Sequence, residues 1–338
     1  MTLPKSVANP RTFGADMIPH LPLALLCVAA LAGGNFLIDR RADFVEARAE
    51  AEFGPTGRIL DVDGISVHAL VRGEGPDLVM LHGASGNLRD FTFGLIEPLS
   101  RDFRVIALDR PGLGWTERLH SHGETPQEQA RLLQRAADKL GVKNPVVLGH
   151  SFGGAVALAW ALERPEETRA LVLLGAVSNP WPGGIDTLYH VNASWLGGRL
   201  VVPLITAFAP KSRISSALEG IFAPQQVPPG YGARIGAGLT LRRDSLRANA
   251  SQIATLRPAV VEMSAQYPSL TMPAEILHGE DDTIVPLAVH SEPLSRQLPN
   301  ANLIRMPGVG HMPHHADPDL VIDAVHRAAN NAGFREPH

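Results

Sequence analysis

The sequence predicts an α/β fold, in which a mostly parallel sheet of eight strands is flanked by helices and carries an inserted helical cap. The first observation is that short apolar runs alternate with amphipathic stretches from Gly57 onward, a pattern typical of parallel strands joined by helical crossovers. The second is that this alternation fails between Val177 and about Asn249, where prolines, glycines and aromatic residues gather. The third is that the polar motifs directly follow predicted strands. In α/β sheets the functional residues lie in the loops at the carboxyl ends of the strands.

Composition narrows the class of protein. Apolar residues make up 45% of the 338 residues and charged residues 19%, which is enough for a packed core. The formal net charge is -4 and no basic stripe is present, so nucleic acid is not an expected partner. Cys27 is the single cysteine, so an internal disulfide is impossible.

Five segments are predicted along the chain. A short N-terminal tail precedes an apolar segment, a charged and helix-prone stalk, and an α/β core that the cap interrupts. Their bounds are 1–16 for the tail, 17–38 for the apolar segment, 39–55 for the stalk, 56–178 and 250–335 for the core, and 179–249 for the cap.

The apolar segment predicts membrane attachment. Met17–Ile38 contains no acidic or strongly basic residue and is about as long as a helix that crosses a bilayer. We therefore expect a single N-terminal membrane anchor, with the stalk holding the α/β core away from the membrane. Two alternatives stay open: a signal peptide cleaved after Ala30-Leu31-Ala32, giving an exported chain that begins at Gly33, and a soluble start.

The strands and helices follow from the apolar runs in chain order. Asp63-Gly64 predicts a tight hairpin turn between the first two strands. The predicted strands are Arg58–Val62, Ile65–Val71, Asp77–Leu81, Arg104–Leu108, Val146–Leu148, Ala170–Leu174, Ala274–Leu277 and Asn302–Met306. The predicted core helices are Thr125–Leu140, Gly154–Leu162, Pro286–Leu298 and Asp317–Ala329.

A serine nucleophile is indicated at the end of the fifth strand. Gly149-His150-Ser151-Phe152-Gly153 fits G-x-S-x-G between a strand and a helix, the context in which this motif is informative. The glycines leave room for a sharp turn that exposes the Ser151 hydroxyl. The helix that follows places its positive end beside that hydroxyl.

The serine needs a base, and the base needs a carboxylate. His311 lies in a glycine-rich loop after the last strand and is the candidate base; His314 and His315 are nearby rivals. No acid or cysteine stands at ligand spacing in this histidine cluster, so no metal is expected there. The loop after the seventh strand supplies three acids, Glu280, Asp281 and Asp282, and spacing alone does not choose among them.

The motifs resemble those of the α/β-hydrolase fold family over about four-fifths of the chain. They are His82-Gly83, DRPGLG at 109–114, GHSFGG at 149–154, G-x-x-D-x-x-V-P at 279–286 and GVGH at 308–311. The resemblance implies that Asp282 is the triad acid, with Asp281 as the alternative. It also implies an oxyanion hole formed by the backbone N–H groups of Ala84 and Phe152, and a structural role for the Asp109-Arg110 turn.

The resemblance further implies a hydrolase that needs no cofactor and works through an acyl-enzyme. We expect its substrate to be a small apolar molecule, most simply a carboxylic ester. Carbon-carbon bond hydrolysis and perhydrolysis use the same triad and stay open, as does a binding protein of this fold that barely turns over. Dehalogenases and epoxide hydrolases of this fold use an aspartate nucleophile, so a serine at position 151 disfavours both.

Overall fold

The computed structural model describes residues 21–333, and these contain one eight-stranded sheet. The predicted α/β architecture is confirmed, and each predicted strand is present within two residues of its expected bounds. The strands are β1 (Arg58–Val62), β2 (Ile65–Arg72), β3 (Asp77–Leu81), β4 (Arg104–Leu108), β5 (Val146–His150), β6 (Ala170–Leu174), β7 (Ala274–Gly279) and β8 (Ala301–Met306).

The sheet is mostly parallel. Its strand order is β1-β2-β4-β3-β5-β6-β7-β8, and only the pairings that involve β2 are antiparallel. The carboxyl ends of β3 to β8 therefore meet at one edge of the sheet. The loops that follow β3, β5, β7 and β8, which carry the predicted site residues, start from this edge.

The helices surround the sheet and fill the insertion. They are α1 (Leu21–Glu52), α2 (Ile96–Leu99), α3 (Pro126–Lys139), α4 (Phe152–Glu163), α5 (Thr187–Ala193), α6 (Trp195–Phe208), α7 (Lys211–Phe222), α8 (Tyr231–Arg234), α9 (Ala237–Thr240), α10 (Arg243–Ser264), α11 (Ser291–Gln297), α12 (Pro313–Ala316) and α13 (Pro318–Asn331).

One predicted core helix is shorter than expected. The sequence predicts a helix over Pro286–Leu298, but α11 begins only at Ser291. Pro293 lies in the first turn of α11, where proline costs least because the N–H that it lacks would have no partner in the helix. A helix that began at Pro286 would place Pro293 in the interior.

The core has two apolar layers, one on each face of the sheet. Side chains alternate between the faces along each strand, as in β3, where Val79 and Leu81 pack with α3 and α4 and Leu78 and Met80 pack with α13. The central strands are buried on both faces, which is why they appear in the sequence as continuous apolar runs.

The predicted stalk is helical, but it does not stand free. It forms the second half of α1 and packs on the cap, with Ala42 and Ala49 buried. Arg243 of α10 forms ion pairs with Asp39, Asp43 and Glu46 along one face of α1. Ion pairs and small buried alanines thus dock the stalk on the cap, whereas the sequence predicted a free spacer.

The cap consists of α5 to α10 between β6 and β7. Its predicted end at residue 249 falls inside α10, so the return to the core is made by one continuous helix. Within residues 21–333, no single helix has the length and hydropathy expected of a membrane span; α5 and α6 reach that standard only as a pair, bent by 106°. The predicted tail and residues 17–20 and 334–335 lie outside the described residues.

Candidate active site

Ser151 lies at a sharp turn between β5 and α4. Its backbone has φ 53° and ψ -119°, a conformation that non-glycine residues rarely adopt. A Cβ at Gly149 would overlap the carbonyl of Gly153, and a Cβ at Gly153 would overlap the carbonyl of Leu81. Both flanking glycines are therefore required by the close approach of backbone, and the turn holds the Ser151 side chain at the edge of the sheet.

The three residues predicted as a triad lie in one chain of hydrogen bonds. The distance from Ser151 Oγ to His311 Nε2 is 2.9 Å, and that from His311 Nδ1 to Asp282 Oδ2 is 2.7 Å. Because a carboxylate only accepts, Nδ1 of His311 carries the proton and Nε2 is free to accept the proton of Ser151. The arrangement can activate the serine as a nucleophile.

Of the three acids in the loop after β7, Asp282 is the one that reaches His311. It is buried, whereas Glu280 and Asp281 are exposed. Its Oδ1 accepts hydrogen bonds from the backbone N–H groups of Ile284 and Val285, which fix the carboxylate. Burial alone would raise the pKa of Asp282, but hydrogen bonds from His278 and His311 and the charge of His311 lower that pKa well below its ordinary value.

His278 is a second histidine at the same carboxylate, and it is not among the residues predicted for the site. It is fully buried in β7, and its Nε2 lies 2.7 Å from the carbonyl of Val285 and 3.2 Å from Asp282 Oδ2. Its position inside an apolar strand gave no signal of this contact. The side chain ties the end of β7 to the loop that carries the acid.

The residues predicted to form the oxyanion hole belong to two segments that lie next to Ser151. Phe152 is the first residue of α4, so its N–H has no partner within the helix. Gly83, which precedes Ala84, lies against the nucleophile: a Cβ built on Gly83 would be 3.2 Å from the Cβ of Ser151. The loop after β3 therefore runs beside the serine, as the predicted role requires.

Arg110 reaches further than the turn to which the sequence assigned it. It is fully buried, and its guanidinium donates to the carbonyls of His82 at 2.8 Å and Gly83 at 3.0 Å and stacks over the Phe152 ring at 4.3 Å. Burial lowers its pKa to about 9, opposed by the charges of Glu124 and Asp109. Arg110 thus holds the loop after β3 against the start of α4.

His314 and His315, the rival bases, bind a buried acid, and Ser151 is bonded to His311 instead. Their Nε2 atoms donate to Asp90 at 3.0 and 2.8 Å, and the hydroxyl of Tyr231 donates to it at 2.7 Å. Burial would raise the pKa of Asp90, but the charges and hydrogen bonds of the two histidines lower it well below its usual value. The spacing of residues around these histidines does not reveal this acid, because Asp90 is 224 residues from His314 along the chain.

Asp90, His314 and His150 are also the described residues whose side chains could hold a metal ion, because their ligand atoms lie within 4.8 Å of one another. His150 precedes the nucleophile and donates through Nε2 to the carbonyl of His311 at 2.9 Å. Nδ1 of His150 and Nδ1 of His314 are buried without a protein partner. Each of these Nδ1 atoms is left as an acceptor, because the Nε2 atom of the same ring is the one that donates.

Comparisons with known proteins agree with this geometry. Residues 76–318 match the family described as the alpha/beta hydrolase fold. A 2-hydroxymuconate semialdehyde hydrolase from Pseudomonas putida is 28% identical over 274 residues, covering 75% of this chain and 87% of the relative. A pimeloyl-[acyl-carrier protein] methyl ester esterase from Nitrosomonas europaea is 28% identical over 270 residues, covering 76% and 97%.

A solved structure shares the fold over nearly the whole chain. It is a bacterial membrane phospholipase A, with a TM-score of 0.66 and 21% identity over 94% of this chain and 100% of that one. The family match spans more than half of the sequence and includes Ser151 and His311. The chain belongs to the α/β-hydrolase fold family and is an enzyme of the hydrolase type.

Proposed function

We propose that the protein is a serine hydrolase that cleaves a carboxylic ester of an apolar acid through an acyl-enzyme. The observation that carries the proposal is the continuous hydrogen-bond chain from Ser151 through His311 to Asp282. These three hydrogen-bonded residues supply a nucleophile, a base and an acid that orients the base, which together suffice for acyl transfer.

The mechanism follows from the atoms in place. Ser151 Oγ attacks the ester carbonyl while His311 Nε2 takes its proton, and the N–H groups of Ala84 and Phe152 donate to the oxyanion. His311 returns the proton to the leaving alkoxide, and the alcohol departs. A water molecule deprotonated by His311 then attacks the acyl-enzyme, releasing the acid and restoring Ser151.

A buried apolar cluster beside the base favours an apolar substrate. Met312 follows His311 directly and packs with Phe222, Tyr231 and Ile235 of the cap. Phe93 lies against the same cluster. An acyl chain that entered between the cap and the His311 loop would meet side chains of this kind, whereas a charged substrate would lose hydration there.

Hydrolysis of p-nitrophenyl esters of increasing acyl length tests the proposal. We expect turnover of the esters, with kcat/KM rising from acetate to medium-length acyl chains because each buried methylene contributes about 0.8 kcal/mol to binding. The matched p-nitroanilides serve as controls and should be hydrolysed more slowly than the esters, because their leaving group is poorer. Turnover of neither series by folded protein would refute the ester hydrolase.

Carbon-carbon bond hydrolysis is the second candidate. The Pseudomonas putida relative, a semialdehyde hydrolase, is as similar to this chain as the esterase relative is. A vinylogous 1,5-diketone offered beside the esters separates the two. Cleavage of the diketone at a higher kcat/KM than any ester would favour the carbon-carbon hydrolase.

We also propose that the N-terminal segment, residues 17–38, attaches the enzyme to a membrane. Large apolar side chains on the first half of α1 are exposed, and those at Leu25, Leu31 and Phe36 are each more than 60% exposed. Trp195, at the start of the neighbouring helix α6, is 79% exposed. Apolar side chains grouped on adjacent helices favour a lipid surface over water.

Sedimentation with membranes tests the attachment. We expect the full chain to pellet with membranes and to resist extraction by high salt or carbonate. A chain that begins at Asp39 should stay soluble and active, because it keeps the ion pairs of Arg243 with Asp39, Asp43 and Glu46. Full-length protein that remains in the supernatant without detergent would contradict the anchor, and a mature N-terminus at Gly33 would indicate a cleaved signal peptide.

A further inference from the structure

Ser85 adopts a backbone conformation that its own side chain disfavours. It lies in the loop after β3, directly after Ala84, and has φ 55°. Positive φ is uncommon for residues other than glycine, and such a residue persists only where its surroundings hold it in place. The contacts that hold Ser85 therefore determine the shape of the loop that approaches Ser151.

Those contacts come from the cap. The backbone N–H of Ser85 donates to Asn249 Oδ1 at 2.8 Å, and Asn249 Nδ2 donates to Ser85 Oγ at 2.9 Å. The hydroxyl of Thr240 donates to the carbonyl of Ser85 at 2.8 Å. Because a backbone N–H can only donate, the oxygen of the Asn249 amide must face it. Asn249 is 5% exposed, so water does not replace these bonds readily.

The same helix holds the other end of the loop. Gln252, three residues after Asn249 on α10, accepts a hydrogen bond from Arg110 at 3.0 Å. Arg110 in turn donates to the carbonyls of His82 and Gly83. Ala84 thus lies between Gly83 and Ser85. Side chains on one face of α10 hold both of these neighbours, Ser85 directly and Gly83 through Arg110.

We propose that Asn249 is a positioning residue for the oxyanion hole: through Ser85 it directs the N–H of Ala84 toward the developing oxyanion. The inference rests on the proposed serine ester hydrolase. Without Asn249, Ser85 relaxes toward negative φ and the loop turns the Ala84 N–H away. The cap therefore contributes to the rate of the chemical step as well as to the choice of substrate.

Asn249→Leu removes both hydrogen bonds at nearly constant volume. We expect kcat to fall about 10- to 100-fold with KM little changed, because an oxyanion donor acts mainly in the transition state. A trifluoromethyl ketone, which forms a tetrahedral adduct on the serine, should bind more weakly by the same factor as kcat/KM falls. A purely structural defect would lower the fraction of active enzyme and leave the affinity of that fraction unchanged.

Two further variants sharpen the test. Asn249→Asp keeps the acceptor for the Ser85 N–H and should recover most of the lost kcat. Ser251→Ala is the matched control, because within residues 21–333 its hydroxyl donates to the carbonyl of Arg247 in the same helix and to no other group. Wild-type protein without ester turnover would refute the proposed function. Active wild type together with an Asn249→Leu variant of unchanged kcat and unchanged ketone affinity would overturn the positioning role alone.

Discussion

Ser151→Ala is expected to lower kcat by about 10⁵-fold or more, because the alanine has no oxygen to attack the carbonyl. The hydroxyl accounts for few contacts besides its bond to His311, so the fold should survive. Initial rates with the best p-nitrophenyl ester measure the loss, and thermal unfolding measures the fold. A pure, folded Ser151→Ala protein with wild-type activity would remove Ser151 from the mechanism.

Asp282→Asn is expected to lower kcat by about 10⁴-fold. The amide would donate toward His311 Nδ1 and favour the tautomer whose Nε2 carries a proton, and that tautomer cannot accept the proton of Ser151. The substitution also removes the negative charge of the carboxylate, which accepts hydrogen bonds from His278 and from two backbone N–H groups.

Asp281→Asn is the matched control for that variant. The two acids are neighbours in the chain, but Asp281 is exposed and its substitution should change kcat less than about twofold. The rates of both variants, measured at a pH near neutrality, show which acid belongs to the triad. Thermal unfolding checks that both variants are folded. The reverse ranking would assign the triad acid to Asp281.

The fold could be predicted because parallel strands are buried on both faces. Strands such as β5 and β6 lie in the middle of the sheet and therefore stand out in the sequence as unbroken apolar runs. The order of the motifs after these strands then placed Ser151 and His311 at the same edge. The choice of Asp282 came from the family resemblance, and the structure supplies the burial that spacing could not.

Contacts between distant segments could not be predicted from the sequence. Asp90 meets His314, and Asn249 meets Ser85, across more than 160 residues, and no local periodicity records either pair. The stalk was expected to be helical, and it is, but the ion pairs that dock it on the cap depend on where Arg243 falls in three dimensions. Polar contacts between elements leave no pattern that a single sequence reveals.

Covalent labelling of Ser151 tests the serine mechanism most directly. Wild-type protein treated with a fluorophosphonate is expected to gain the mass of one phosphonyl group, on the peptide that contains Ser151, and ester turnover should fall in proportion to the labelled fraction. The Ser151→Ala protein should gain none. Ester turnover that persists in fully labelled protein, or a label carried by another residue while Ser151 stays free, would contradict the mechanism.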